Sequence, residues 1–462
     1  MSNLAALGAV ELAALYRRRD VSPVEVVQAV IARIARWEPE LHALYAYDPE
    51  GALAAARESQ ARWRDGKPLS ALDGVPVTIK ENIATRGVPV PLGTAATVLA
   101  PAAADAPPAA RLREAGCVIA AKTTMPDWGM LTSGLSTFHA LTRNPWDTSK
   151  NPGGSSAGAA AACAAGYGPL HLGTDIGGSL RLPAALCGVV ALKPSAGRVP
   201  IHPPYAGRVA GPMTRSVEDA AAMMAVLAQP DARDATQLPR AATAWDDIDI
   251  DLRGLRIGLL LDAGWGIPVD SEISAAVQAA AKRFETAGAI VEPIGPFSTR
   301  TMADGMDTFW RMRSWLDCAK LPPERQALVL PYIRQWIARG ATLSGADVFD
   351  GYSQMAALRD AAIGAIQSCD FIVSPTCPVA GYPAEFASPI NDPERPFEHI
   401  AFTLPYNMSE QPALSLPCGF TSRGLPIGLQ IAGHRHDDLG VLRLARAWER
   451  RRDPLPPWPE PR

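Results

Sequence analysis

The chain has 462 residues, 48% of them hydrophobic and 20% charged, with a formal net charge of −3. Such a length can bury a large core without disulfide staples. The near-neutral balance, with no basic patch or long charge run, speaks against a partner that is nucleic acid or anionic lipid. Met1 to Val10 lacks a basic region followed by an apolar run, so no signal peptide is expected. No segment approaches the roughly 20 apolar residues of a membrane helix, and no membrane association is expected. Seven cysteines, scattered and without a C-x-x-C pair, fit reduced thiols in a cytoplasmic protein. The seven histidines include no H-E-x-x-H, and His434-x-His436 reads as surface rather than metal site.

In chain order, Ser22-Pro23-Val24-Glu25 is a capping box with proline at the first helical position. Val26, Val27, Val30, Ile31 and Ile34 follow at helical spacing. A second helix starts after Asp48-Pro49. Val75 to Lys80 reads as a strand, and so does Val118 to Ala121 after a helix-like Pro108 to Ala115. A lysine, Lys80 or Lys122, ends each strand, and residue chemistry alone does not choose between them. Residues 125 to 150 are loop-rich. Pro169 to Leu172 forms a short apolar segment, and strand–helix alternation from Val75 to Val199 indicates an α/β fold. Gln229 to Asp251 is a polar connection. Leu255 to Leu261, Ser271 to Thr286 and Ala289 to Pro293 read as strand, helix, strand, with Gly288 at the helix C-terminus. Residues 302 to 365 are helical and aromatic. Phe371 to Ser374, Ala413 to Leu416 and Ile427 to Ile431 complete a sheet, and the proline-rich tail Arg451 to Arg462 reads as loosely ordered. A length prior of about three domains applies, yet no linker divides the chain.

The stretch that carries chemistry is 151 to 179. Gly153-Gly154-Ser155-Ser156 opens it, the alanine run Ala157 to Ala165 follows, and Thr174-Asp175-Ile176-Gly177-Gly178-Ser179 closes it. Paired glycines allow φ > 0 and close backbone approach to a ligand. Successive N–H groups in such a turn converge into an anion nest. A serine ending the nest offers a hydroxyl beside several donors, the layout of acyl transfer. Two other readings compete. Gly173 to Ser179 faintly resembles a phosphate loop but has no lysine before the serine. Gly154-Ser155-Ser156-Ala157-Gly158 matches the G-x-S-x-G nucleophile elbow on Ser156, although loop residues stand where that elbow needs a strand.

These segments, with Asn144-Pro145-Trp146-Asp147 before them and Leu180-Arg181-Leu182-Pro183-Ala184, Cys187-Gly188 and Leu192-Lys193-Pro194 after, resemble the signature of the amidase signature family. Asp73-Gly74-Val75-Pro76-Val77-Thr78-Ile79-Lys80 and Gly424 to Gln430 extend the resemblance over nearly the whole chain. The chain departs from the family pattern twice: Ala157 and Glu410 stand where glycine is usual, and Glu410 is expected to alter the pocket wall. The resemblance implies one α/β/α domain over 1–462 with a large central mixed sheet. Its signature core spans about 70–215, with N-terminal helices at 1–66 and a helical, aromatic pocket cover at about 300–365.

The resemblance chooses Lys80 over Lys122 and implies a catalytic set of Lys80, Ser155 and Ser179. Backbone N–H groups of Ile176, Gly177, Gly178 and Ser179 would hold the oxyanion. Gly129, through its carbonyl, and Thr174, through its hydroxyl, would lie beside the reacting centre. No metal or organic cofactor is needed for that chemistry. The function expected is an amidohydrolase acting on a small-molecule amide, ester or carbamate through an acyl-Ser179 intermediate, with room for homodimer assembly. The alternatives are the glutaminase component of a tRNA-dependent amidotransferase and an esterase built on Ser156. The aromatic content of 125–146 and 305–340, with few basic groups, further implies an apolar, aryl-tolerant pocket.

Overall fold

Residues 4–460 are described in this computed structural model, and their eleven strands share one sheet. The strands are β1 (Leu44–Tyr45), β2 (Pro76–Lys80), β3 (Val118–Thr123), β4 (Leu170–Asp175), β5 (Val190–Lys193), β6 (Val209–Thr214), β7 (Arg256–Leu259), β8 (Ile290–Pro293), β9 (Phe371–Pro375), β10 (Ala413–Phe420) and β11 (Pro426–Gly433). Their order is β1-β3-β2-β4-β6-β5-β10-β11-β9-β7-β8. The run β3-β2-β4 is parallel, the middle from β4 to β9 is antiparallel, and β9-β7-β8 is parallel again.

Side-chain alternation divides the sheet's two faces. Val77 and Ile79, Leu170 and Leu172, Val190 and Leu192, Leu414 and Leu416, and Leu429 and Ile431 enter one large core. Helices Val217–Leu227, Ser271–Thr286 and Asp438–Glu449 cover that face with Met223, Met224, Phe284 and Trp448. Ala191 and Met213 point the other way, against helices Ala157–Ala165 and Arg181–Cys187. Each large aliphatic side chain buried this way contributes roughly 1.5–3 kcal/mol. The α/β/α architecture expected from the sequence is the one found.

The alanine helix is buried on every side. It has no apolar stripe because it is surrounded by core. Its residues must be small: a Cβ on Gly158 would lie 2.2 Å from the Ala43 carbonyl oxygen and 2.5 Å from the Thr124 nitrogen.

The capping box at Ser22 forms as read, and helix Pro49–Arg64 begins where expected with Asp48 as its cap. Helix Ser271–Thr286 matches its expected bounds, and Gly288 follows it with φ of 103°. The central strand β6 has no counterpart among the expected strands, and it carries Gly211 and Pro212, residue types with little strand preference of their own. Gly211 is required there because a Cβ would sit 2.2 Å from the Leu192 carbonyl oxygen.

The C-terminal tail reads as loose from its sequence, and its last residues, 461 and 462, lie outside the described part. Up to 460 it has no regular element but is docked. Trp458 lies 6.1 Å from the Trp146 ring, the Arg215 guanidinium stands 5.6 Å over Trp458, and Arg33 reaches the Pro459 carbonyl and the Glu460 carboxylate. The region from 300 to 365 is helical as expected, with helices Arg300–Ala319, Pro331–Ile337 and Gly345–Ala365 forming a layer over a second core that includes Trp310 and Trp336. No described helix is long and apolar enough to cross a membrane.

Candidate active site

The parallel pairing of β2 with β4, register Ile79 to Leu172, brings Lys80 and Thr174 out together at the strands' C-terminal ends. Open α/β sheets place ligands at such ends. Lys80 is fully buried, and its Nζ lies 2.8 Å from Ser155 Oγ, 3.0 Å from Ser156 Oγ and 3.0 Å from Thr174 Oγ1. Burial, with a smaller push from the Arg208 guanidinium, lowers the Lys80 ammonium to about 7, against the opposing carboxylates of Asp175 and Glu81. Lys122, the other strand-end candidate, is spent elsewhere, donating to the Ile83 carbonyl and to Thr85 Oγ1.

Ser155 and Ser156 stand at the head of the alanine helix. Asn151 fixes the turn before them: its amide donates to Ser133 Oγ at 2.9 Å and to the Ala384 carbonyl at 3.0 Å, and its oxygen accepts from Gly153 N at 3.0 Å. Ser156 donates its hydroxyl proton to the Thr174 carbonyl at 3.1 Å, is fully buried and is absent from the cavity wall. That closes it off as an exposed nucleophile, so the esterase reading on Ser156 falls. Its place is instead as a partner of Lys80, which the sequence does not announce.

Ser179 ends the second turn and is half-buried, facing a cavity that Gly129 and Ile176 also line. Gly129 adopts φ of 67°, and a Cβ there would come within 3.3 Å of Ser155 Oγ. The nest turn hangs on Asp175, whose carboxylate accepts from Gly178 N at 2.8 Å, from Leu180 N at 3.1 Å and from Asn407 Nδ2 at 2.8 Å. Gly178 was expected as an oxyanion donor, but its N–H is committed to Asp175. The N–H groups of Ile176, Gly177 and Ser179 have no acceptor among the described residues. Gly178 is needed for its backbone, with φ of 128° and a Cβ position 2.5 Å from Thr403 Oγ1.

Burial alone would raise the Asp175 carboxyl. The Arg181 guanidinium, with Asn407 and Lys193, instead holds it well below the usual carboxylate range. Arg181 also donates to Gln430 Oε1 at 2.8 Å, to Asn407 Oδ1 at 2.6 Å and to the Thr403 carbonyl at 2.9 Å. Nothing in the local sequence of Arg181, Asn407 or Gln430 announces that the three converge. The same holds for Asn82, two residues after Lys80, which donates to Thr174 Oγ1 at 3.1 Å. Glu410 departs from expectation: it turns to Arg435 at the surface, with φ of 64°, and does not line the cavity.

Two arms of the cavity meet at Ser179. One is narrow and is walled by Leu131, Leu182, Trp310, Phe397 and Ile400, with Arg313 also on its wall. The wider arm has Asn82, Tyr205, Arg208 and Arg313 on its walls. Leu92, Met125, Trp128 and Ile176 also line the wider arm, so apolar side chains line both arms as expected, and the unexpected feature is the pair of guanidinium groups, Arg208 and Arg313.

A family model for amidases matches residues 25–442. The chain belongs to the amidase signature family. Its relatives include a subunit of the Glutamyl-tRNA(Gln) amidotransferase of Myxococcus xanthus (strain DK1622), 36% identical over 96% of this chain and 96% of that protein. The corresponding subunit from Solidesulfovibrio magneticus (strain ATCC 700980 / DSM 13731 / RS-1) is 35% identical over 100% of this chain and 99% of its own length. Among solved structures, a bacterial aryl acylamidase of the amidase signature family superposes with a TM-score of 0.88 and 28% identity, covering 96% of each chain.

Proposed function

We propose that this member of the family hydrolyses carbon–nitrogen bonds of amides through an acyl-Ser179 intermediate. The observation that carries the reading is the contact of Lys80 Nζ with Ser155 Oγ at 2.8 Å, beside a cavity that Ser179 enters. A proton count supports it. The Ser156 hydroxyl proton is spent on the Thr174 carbonyl, so Ser156 accepts from Lys80. Thr174 Oγ1 accepts from Asn82 and from Lys80. A neutral lysine has two N–H donors and one lone pair. With both donors used, the lone pair is left for Ser155.

Lys80 then takes the Ser155 proton as Ser155 takes that of Ser179. Ser179 attacks the carbonyl carbon, and the N–H groups of Ile176, Gly177 and Ser179 hold the developing oxyanion. Ser155 returns a proton to the departing nitrogen, and water, activated by the same relay, releases the acid. Gly129 closes the wall near Ser155. Esters and carbamates are further substrates of the same chemistry. A cytoplasmic location is part of this reading, supported by seven cysteines that are all free thiols.

A second reading is favoured by the sequence relatives: the glutaminase component of a tRNA-dependent amidotransferase, using the same residues on glutamine and working within a complex. The apolar arm beside Ser179 favours the free-standing amidase. Hydrolysis rates of the isolated chain on glutamine, aliphatic amides and anilides separate the two. Anilide turnover well above glutamine turnover supports the first reading. Turnover of glutamine alone, or only once partner proteins are added, assigns the second.

A further inference from the structure

The wider arm of the cavity holds charge without a counter-charge. Arg208 immediately precedes β6 and Arg313 lies on helix Arg300–Ala319, so distant parts of the chain bring two guanidinium groups to one wall. Neither has a carboxylate partner among the described residues. Arg313 donates to Met130 Sδ at 3.0 Å and stacks 5.1 Å over the Tyr205 ring. Burial and the neighbouring Arg313 charge both disfavour the Arg208 cation. The carboxylates of this arm are spoken for: Asp175 is paired with Arg181, and Asp317 with Lys320 at 3.0 Å. The Tyr205 hydroxyl is buried with no partner. Adjacent, partly desolvated cations and an orphaned hydroxyl are costly unless something fills the space between them. The guanidinium fork fits a carboxylate, which would also accept from the tyrosine.

We infer that Arg208, Arg313 and Tyr205 form a carboxylate-binding subsite, so that the preferred substrates are amides with an apolar group on one side of the scissile bond and an acidic group on the other. This rests on the amide-hydrolase reading for its chemistry, because both arms meet at Ser179. It follows that the reaction supplying such a substrate joins an apolar acid or amine to an amino acid or dicarboxylic acid.

The test separates binding from turnover. Ser179→Ala protein is titrated calorimetrically with two matched pairs: N-benzoyl-β-alanine against N-propylbenzamide, and succinanilic acid against butyranilide. The carboxylate of at least one pair should bind roughly 10- to 100-fold tighter, the scale of a charge-assisted contact. That advantage should collapse when Arg313→Leu or Arg208→Gln is added, and return in part with Arg313→Lys. Neutral members binding as well in both pairs, or an advantage unmoved by every arginine variant, overturns the subsite. Hydrolysis by the unsubstituted enzyme is scored separately: no turnover of any amide sinks the parent reading, while the titration still decides the subsite.

Discussion

Lys80 is a base only without its proton, and burial sets the pH at which that happens. With its ammonium lowered to about 7, the protonated, inactive form dominates below neutrality. Amide turnover should therefore rise as pH increases through about 7 and level off above. Arg208 contributes to that lowering, so Arg208→Gln should shift the rising limb to higher pH in a pH–rate profile. An unmoved limb would separate Arg208 from Lys80. Lys80→Ala should reduce turnover by roughly 10²–10⁴-fold, the usual value of a positioned base. Ser156→Ala removes one acceptor that orients Lys80 and should cost up to about tenfold, the worth of one net hydrogen bond. Steady-state kinetics on one anilide measure both. A larger loss for Ser156→Ala than for Lys80→Ala would contradict the proton count.

At the scale of elements, the alanine helix sets two effects against each other. Alanine is favoured over glycine in a helix by about 1 kcal/mol. At Gly158 the added Cβ would meet backbone atoms 2.2 and 2.5 Å away, and overpacking of this kind costs typically about 1–3 kcal/mol. The clash is with backbone, which cannot rotate aside, so Gly158→Ala should lower the melting temperature; a rise would mean that the helix is free to move. The same element shows what the sequence makes legible. The Ser22 and Asp48 caps, the strand ending at Lys80 and the two glycine–serine turns can all be read, because each is written in adjacent residues. Strand β6 cannot, because its Gly211 is set by the Leu192 carbonyl of the neighbouring strand rather than by local preference. The chain position of Gly178 fits an oxyanion nest, and only the fold shows Asp175 taking that N–H. Arg208 and Arg313, 105 residues apart in number, meet in one wall only through tertiary structure, which is why the sequence does not show two cations in an otherwise largely apolar pocket.

Across the whole molecule, Asp175 and Arg181 tie β4 and its following helix to β11 through Gln430 and to helix Leu404–Met408 through Asn407. Removing one partner of a buried pair leaves an uncompensated charge, which costs about 3–5 kcal/mol. Asp175→Ala should lose about that much in denaturant unfolding. The Asp175 carboxyl titrates below its unfolded value, so its stabilisation is present above the unfolded value and is lost as pH falls through the folded one. Acid unfolding of Asp175→Asn should accordingly be less steep than that of the unsubstituted chain. All of this scaffold holds one serine at the junction of two arms, and the covalent step at that serine is the most direct test. Rapid acid quench during anilide turnover, followed by peptide mass spectrometry, should find the acyl group on Ser179, and Ser179→Ala should show neither adduct nor turnover. An acyl group on Ser155 or Ser156, or undiminished hydrolysis by Ser179→Ala, would contradict the account.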